Sequence, residues 1–391
     1  MKKYILIILC CLKSFPLWSY NVNMIVEHYS VDQGLPNNTV NCTLKDRDGF
    51  IWFGTWYGLC CFDGVKFKTF NKQEHDSDVP PRKIQRIVED KNGYIWVKTI
   101  DRKLYVFNKV TECFHAVYDD MKNYSENIQV IKLQNTAEGD VLLLTKDKNL
   151  LLAGVDEKGQ VTIKILFDSR NEINKHDYTL KHHVLCETEE YISWIGTDYK
   201  VAAVHKGSEL ASRPADFITS KINSGDKDSF TSFFEDGRKV WVGDRAGIFY
   251  SIDVRTGLVN RYVLSEIKGA ISNLLVTPAG YVYLSVAGQG TYEYDLAERR
   301  LQKINTEMND AMVTHAFIDQ YDKIWFHENE KALIYYDPLN HTAKRFPFTM
   351  FGKITTLYSE DAGERGLFSC LRQERPGCST GNMRRWFISI N

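Results

Sequence analysis

Short apolar runs that alternate with polar positions recur along this chain, each broken by a turn rich in Asp, Asn and Gly. One unit carries Ile84, Ile87 and Val88, then the turn Asp90-Lys91-Asn92-Gly93, then Tyr94-Ile95-Trp96-Val97-Lys98-Thr99 and Leu104-Tyr105-Val106-Phe107-Asn108. Asn-Gly and Asp-Gly between alternating runs predict hairpins, because both central residues of the favoured turn need positive φ. The stretch from Cys113 to Tyr118 supplies a fourth strand. The unit recurs around Trp52, Trp96, Leu142, Trp194, Trp241, Tyr283 and Trp325, at spacings of 44, 46, 52, 47, 42 and 42 residues. Four short antiparallel strands in about 45 residues make one propeller blade. A lone blade leaves both sheet faces bare, so the seven are expected to stack around an axis with these seven side chains wedged between neighbours. The expected fold is all-β: a seven-bladed propeller of four-stranded antiparallel blades over residues 20–350, with no long helix.

The two ends stand apart from the repeat. Residues 1–19 read as a signal peptide, with Met1-Lys2-Lys3 before the apolar stretch Tyr4 to Leu12 and Ser19 as a small residue before cleavage. Ile25-Val26-Glu27-His28-Tyr29 and Ala343-Lys344-Arg345-Phe346-Pro347 compete as the strand that completes the last blade. Residues 351–391 open like an eighth blade at Ile354 to Gly363 and are then expected to run on as an aberrant, disordered tail.

Charge and cysteine content narrow the function. With 49 basic and 50 acidic residues there is no basic excess to suit nucleic acid. Of nine cysteines, Cys42, Cys60, Cys61, Cys113 and Cys186 fall in the repeat region, odd in number and mostly in strand-like runs, which reads as free thiols. No ligand spacing points to a metal, and no motif calls for a cofactor.

The loop joining the second and third strands of each blade opens on the same face as the links between blades, around the central channel. The copies disagree most there. Trp56, Tyr57, Arg102, Tyr199, Arg245 and Gln289 offer the aromatic faces and planar polar groups that suit a sugar. A catalytic reading fares worse. Glycoside hydrolysis needs a particular pair of carboxylates, whereas the Asp and Glu residues here repeat at turn positions. A propeller enzyme acting on glycans and a protein-interaction propeller without small ligand are the competing readings.

The string Tyr29-Ser30-Val31-Asp32-Gln33-Gly34-Leu35-Pro36-Asn37-Asn38-Thr39-Val40, followed by Asp48-Gly49-Phe50-Ile51-Trp52-Phe53-Gly54-Thr55 and Gly58-Leu59, closely resembles the opening of two-component regulator propeller proteins. The resemblance covers roughly residues 25–360. It implies the periplasmic sensor region of a Bacteroidetes hybrid two-component system, whose parent is a histidine kinase anchored in the inner membrane. It further implies an oligosaccharide ligand, control of glycan-utilisation genes, a second propeller among the parent's remaining domains, and a homodimeric parent. No kinase region is present in this sequence, so no enzymatic activity is expected of it. The repeat should continue near residue 368 and does not, which reads as a fragment of a longer sensor.

Overall fold

The computed structural model describes residues 24–29, 31–37, 39–70, 80–124, 128–169, 180–196, 201–207, 215–216, 230–304, 313–319, 321–328, 331–347, 356–360, 367–371 and 385–390. The signal segment at 1–19 and Tyr199 lie outside them. Seven sheets, each of four consecutive antiparallel strands, follow one another along the chain. Blade 1 is Val40–Lys45, Ile51–Thr55, Gly58–Phe62 and Phe67–Phe70. Blade 2 is Ile84–Glu89, Ile95–Thr99, Leu104–Asn108 and Cys113–Ala116. Blade 3 is Val130–Asn135, Val141–Thr145, Leu150–Val155 and Val161–Phe167. Blade 4 is Leu180–Glu187, Tyr191–Gly196, Val201–His205 and Ala215–Asp216. Blade 5 is Phe230–Glu235, Lys239–Asp244, Phe249–Asp253 and Leu258–Tyr262. Blade 6 is Ile271–Val276, Tyr281–Val286, Gly290–Asp295 and Arg300–Lys303. Blade 7 is Val313–Ile318, Ile324–Glu328, Ala332–Asp337 and Thr342–Pro347. This is the seven-bladed propeller that the repeat predicts. Among the described residues the α-helical content is one turn, Tyr118–Met121.

The competition for the last strand of blade 7 is won by Thr342–Pro347. The N-terminal strand Met24–Tyr29 instead pairs antiparallel with Arg385–Ile390. With Leu367–Leu371 and Thr356–Glu360 these form an eighth four-stranded sheet, beside the inner strand of blade 1. Two of its strands fall in the stretch expected to run on as a tail; residues 372–384 lie outside the described residues.

The seven repeat centres are all buried, none more than 3% exposed, and cores form between blades rather than within them. Trp52 of blade 1, for example, shares a cluster with Ile87, Val97 and Phe107 of blade 2. Each buried indole needs an acceptor for its N–H. In blade 1 the turn residue Asp46 takes the N–H groups of Asp48 and Phe50 on Oδ1 at 3.0 and 2.9 Å, and the Trp52 Nε1–H on Oδ2 at 2.7 Å. Asp90, Asp236 and Asp319 hold Trp96, Trp241 and Trp325 the same way at 2.9, 2.7 and 2.9 Å. Where the centre is Leu142 or Tyr283 there is no indole, and the turn residue is Thr136 or Thr277. Tyr283 donates its hydroxyl to Glu293 at 2.8 Å instead.

On the face that carries these turns, charged side chains fasten some of the seams. Glu89 ends the inner strand of blade 2 and accepts the Arg47 N–H of blade 1 at 2.9 Å. Lys109, the first residue after the third strand, donates to Glu89 at 2.7 Å, Asp48 at 3.0 Å and Asp46 at 3.1 Å. Burial opposes its charge, but these three hydrogen bonds outweigh it and hold the Lys109 pKa above the ordinary lysine value. Blade 4 repeats the device: Glu187 accepts the Ala137 N–H at 3.0 Å, and Lys206 bridges Glu187 at 2.5 Å and Glu138 at 2.8 Å. Blade 5 keeps the acid, Glu235, but has Val254 where the lysine would stand. Glu235 accepts the Glu187 N–H, and burial, reinforced by the Glu187 charge, pushes its carboxyl up to about 7.

Nearer the axis, every inner strand slips register after its first residue, as at Val40/Cys42, Ile84/Arg86 and Phe230/Ser232. Such a bulge re-aims the extra side chain. Asn41 Nδ2 donates to the Ile84 carbonyl of the next blade at 2.6 Å, Thr231 Oγ1 to that of Ile271 at 2.8 Å, and Ser272 Oγ to that of Val313 at 3.1 Å.

Candidate functional site

The hairpins between second and third strands form a rim stitched by backbone hydrogen bonds. Trp56 donates its N–H to the Thr39 carbonyl at 3.2 Å and accepts the Lys83 N–H at 3.0 Å; the Lys83 carbonyl takes the Ile100 N–H at 2.9 Å. Lys83 therefore joins the hairpin bearing Trp56 and Tyr57 to the hairpin bearing Arg102. The Trp56 ring is 41% exposed with the Lys83 ammonium 5.4 Å from its centre, and Tyr57 is 65% exposed. Arg102 is exposed, holds a left-handed conformation at φ 68°, and its carbonyl accepts the Val130 N–H of blade 3 at 2.9 Å. An apolar hollow of about 170 Å³ opens beside it, bounded by Leu104, Tyr105, Val117, Met121 and Ile128.

Arg245 is exposed in the blade 5 hairpin, next to Asp244, whose buried carboxylate accepts the Ala246 and Ile248 N–H groups at 2.9 and 2.8 Å. Burial raises the Asp244 pKa, and those two bonds oppose the rise. The Gln289 amide hydrogen-bonds to its own chain. Its Oε1 accepts the Lys268 N–H at 2.8 Å and its Nε2 donates to the Glu266 carbonyl at 3.4 Å, so the side chain pins the link between blades 5 and 6. The structure thus brings Trp56, Tyr57 and Arg102 onto adjoining hairpins of blades 1 and 2, and places Arg245 and Gln289 at blades 5 and 6.

A second polar level lies below the rim, two residues beyond each repeat centre. There the inner and second strands pair as Cys42 with Gly54, Arg86 with Lys98, Lys132 with Leu144, Ser232 with Gly243, Asn273 with Ser285 and His315 with His327. Blades 2 and 3 contribute three cations, and blade 7 a pair of imidazoles with centroids 6.0 Å apart. Lys98 is 4% exposed, and its ammonium donates to the Gln85 amide oxygen. Burial, with the Arg102 charge, lowers the Lys98 pKa to about 8. Lys132 is half-buried, and burial lowers its pKa too; Glu235 of blade 5 opposes that shift and Arg86 of blade 2 adds to it. Burial, assisted by His315, lowers His327 to about 4, so it is neutral at pH 7. Sequence reading missed this level because a lone polar residue in a strand is read as solvent-facing. The available signal was Ile95-Trp96-Val97-Lys98: alternation sets Lys98 on the same face as the buried Trp96.

Asp46, Asp48 and Glu89 lie close enough together to ligate a cation, but the Lys109 ammonium sits among them. Cys42, Cys60, Cys61 and Cys186 are buried free thiols and Cys113 is half-buried. Burial raises the Cys61 and Cys186 thiols to about 12, which keeps them unreactive. No helix among the described residues is long and apolar enough to cross a membrane.

Residues 34–57 match the family described as Two component regulator propeller, a span that includes Trp56 and Tyr57. Over 84 residues the chain is 33% identical to Histidine kinase P4 of Formosa agariphila, which covers 20% of this chain and 6% of the kinase. Among solved structures, the Dos1 propeller is 13% identical at a TM-score of 0.60, covering 92% of this chain and 94% of that one. BamB from Moraxella catarrhalis gives 10% identity, a TM-score of 0.54, and coverage of 94% and 99%. The extracellular domain of a hybrid two component system from B. thetaiotaomicron gives 16% identity and a TM-score of 0.47, covering 78% of this chain and 41% of that domain. The chain therefore spans under half of that domain and a small part of the kinase. The likenesses to the Dos1 propeller and to BamB agree with the propeller fold, and the match at 34–57 agrees with the resemblance carried by the opening strings.

Proposed function

We propose that this chain, which carries a two-component regulator propeller repeat, is the ligand-sensing propeller of a periplasmic sensor and that its ligand is an oligosaccharide. The observation that carries the reading is the match at 34–57, which ends on the exposed pair Trp56 and Tyr57 at the rim. Exposed aromatic faces with an adjoining Arg102 suit stacking on a sugar ring and hydrogen bonding to its hydroxyls. Arg245 extends the same face, while Gln289 serves by holding the link beside it; Tyr199, chemically suited to the same ligand, lies outside the described residues. The chain performs no chemistry of its own in this reading. Its output comes from the kinase and regulatory domains of a longer, membrane-anchored parent, which also supplies a second propeller and dimerises.

Thermal-shift screening of the purified chain against oligosaccharides tests the proposal, because a ligand that binds only the folded state raises the melting temperature. One glycan is expected to give a clear shift, and Trp56→Ala combined with Arg245→Ala is expected to weaken it without unfolding the propeller. Unchanged affinity by calorimetry removes the rim as the site. Turnover of the bound glycan replaces sensing with catalysis.

A further inference from the structure

We propose that the cleft between blades 4 and 5, on the face opposite the rim, binds a small aliphatic amino acid whose ammonium group takes the lysine seat that this seam lacks. The site is separate from the rim and does not depend on the sensing role proposed above.

Two other seams show how the seat is built. Each has an acid at the end of one inner strand, a second acid two residues beyond the neighbouring blade's turn residue, and a lysine just after a third strand. At blades 1 and 2 the Lys109 ammonium lies 2.7 Å from Glu89 and 3.0 Å from Asp48. At blades 3 and 4 that of Lys206 lies 2.5 Å from Glu187 and 2.8 Å from Glu138. The seam of blades 4 and 5 retains both acids, as Glu235 and Glu190, but Val254 stands in the lysine position. Among the described residues neither acid forms an ion pair. Glu235 is half-buried and accepts the Glu187 N–H, and Glu190 is exposed. Lys206, on the adjoining seam, is held by Glu187 and Glu138.

The free space follows the substitution. The cleft at blades 1 and 2, lined by Lys109 and Asp48, measures about 240 Å³. Its counterpart at blades 4 and 5, lined by Val254 and Glu190, measures about 530 Å³. A partly buried carboxylate without a cation carries a desolvation cost. The chain offsets that cost with its own lysine at two seams, and at this one it leaves room for an ammonium from outside. Arg238 and Arg255, both exposed, line the same cleft, and Glu189 and Lys239 add one charge of each sign. The two guanidinium groups disfavour a bare cation but suit a carboxylate, which each can hold in paired fashion. The cleft therefore favours a ligand that carries both charges.

The test follows the melting temperature of the full chain near pH 8, where Glu235 is ionised, at fixed ionic strength. The probes are ε-aminocaproate, which has both charges, n-butylamine, which has only the ammonium, and caproate, which has only the carboxylate. The melting temperature is expected to rise with ε-aminocaproate concentration, and to rise less with either single-charge probe. Val254→Lys, which sets an ammonium in the seat, should weaken ε-aminocaproate binding by at least about tenfold. Glu190→Gln, an exposed change, should weaken it too. No shift with ε-aminocaproate overturns the site, and so does an equal shift with caproate. A shift that both variants leave intact also overturns it. Any glycan held at the rim should still bind Val254→Lys, so failure of this site and failure of sugar sensing are read separately.

Discussion

Changing Glu235 to Gln isolates the one seam where an inner-strand acid lacks its lysine. An ordinary glutamate titrates near 4.5, whereas burial and the neighbouring Glu187 charge bring Glu235 to about 7. At about 1.36 kcal/mol per pK unit this corresponds to an upper limit near 3 kcal/mol, and partial exposure reduces it to about 2 kcal/mol. A carboxyl that holds its proton more tightly in the fold contributes stability that is complete below the unfolded pKa. That contribution is lost as pH rises through the folded value, here between about 4.5 and 7. Glutamine is uncharged throughout and can still accept the Glu187 N–H. Urea unfolding near pH 5 should therefore give similar stability for the two proteins, and near pH 8 the variant should be more stable by about 2 kcal/mol. Val254→Lys, which places an ammonium where Lys109 and Lys206 stand in blades 2 and 4, should act in the same direction. A gain of equal size at both pH values, or a loss near pH 8, would refute the assignment of strain to the Glu235 charge.

Three further substitutions probe other seams. Lys109→Met leaves Asp46 and Glu89 buried without their shared cation and should cost about 3 kcal/mol in denaturant unfolding; adding Glu89→Gln should recover part of it. Gly54→Ala sets a Cβ 2.4 Å from Cys42 Sγ and 2.5 Å from Ile84 Cγ2, so the overpacked seam should lose about 1–3 kcal/mol, read as a lower melting temperature. Asp90→Ala strands the Trp96 indole N–H and two turn N–H groups, for about 1–3 kcal/mol, with near-ultraviolet circular dichroism reporting the loosened tryptophan.

The architecture was readable because it is periodic. Trp52, Trp96 and Trp325 mark the second strand wherever they fall, and a turn Asp six residues earlier accompanies each. That Asp reads as a turn former alone; only the coordinates show its second oxygen on the indole. Local pattern also located the rim hairpins, but Gln289 shows the limit. Nothing in Ala287-Gly288-Gln289 tells that the amide closes back on residues 266 and 268. The cationic level escaped for a related reason. Lys98 and Lys132 look like solvated strand positions until the next blade covers them, and coverage by a neighbour is a property of the stack. The pairing of Met24–Tyr29 with Arg385–Ile390 is beyond local reading altogether, since it joins opposite ends of the chain.

The bulged side chains at the axis fix how this body can respond to an occupant. Asn41, Thr231 and Ser272 each grip the first carbonyl of the neighbouring inner strand, so the seams they span cannot gape without breaking a hydrogen bond. Leaving such groups unpaired costs about 1–3 kcal/mol each. The bore at those seams is accordingly set by teeth that interlock, much like a washer, and does not stretch to suit what enters it. A guest must fit the given diameter or be gripped at the rim. Under the sensing function proposed above, a ligand would then be read at those three seams as a change in the charge and shape of a face.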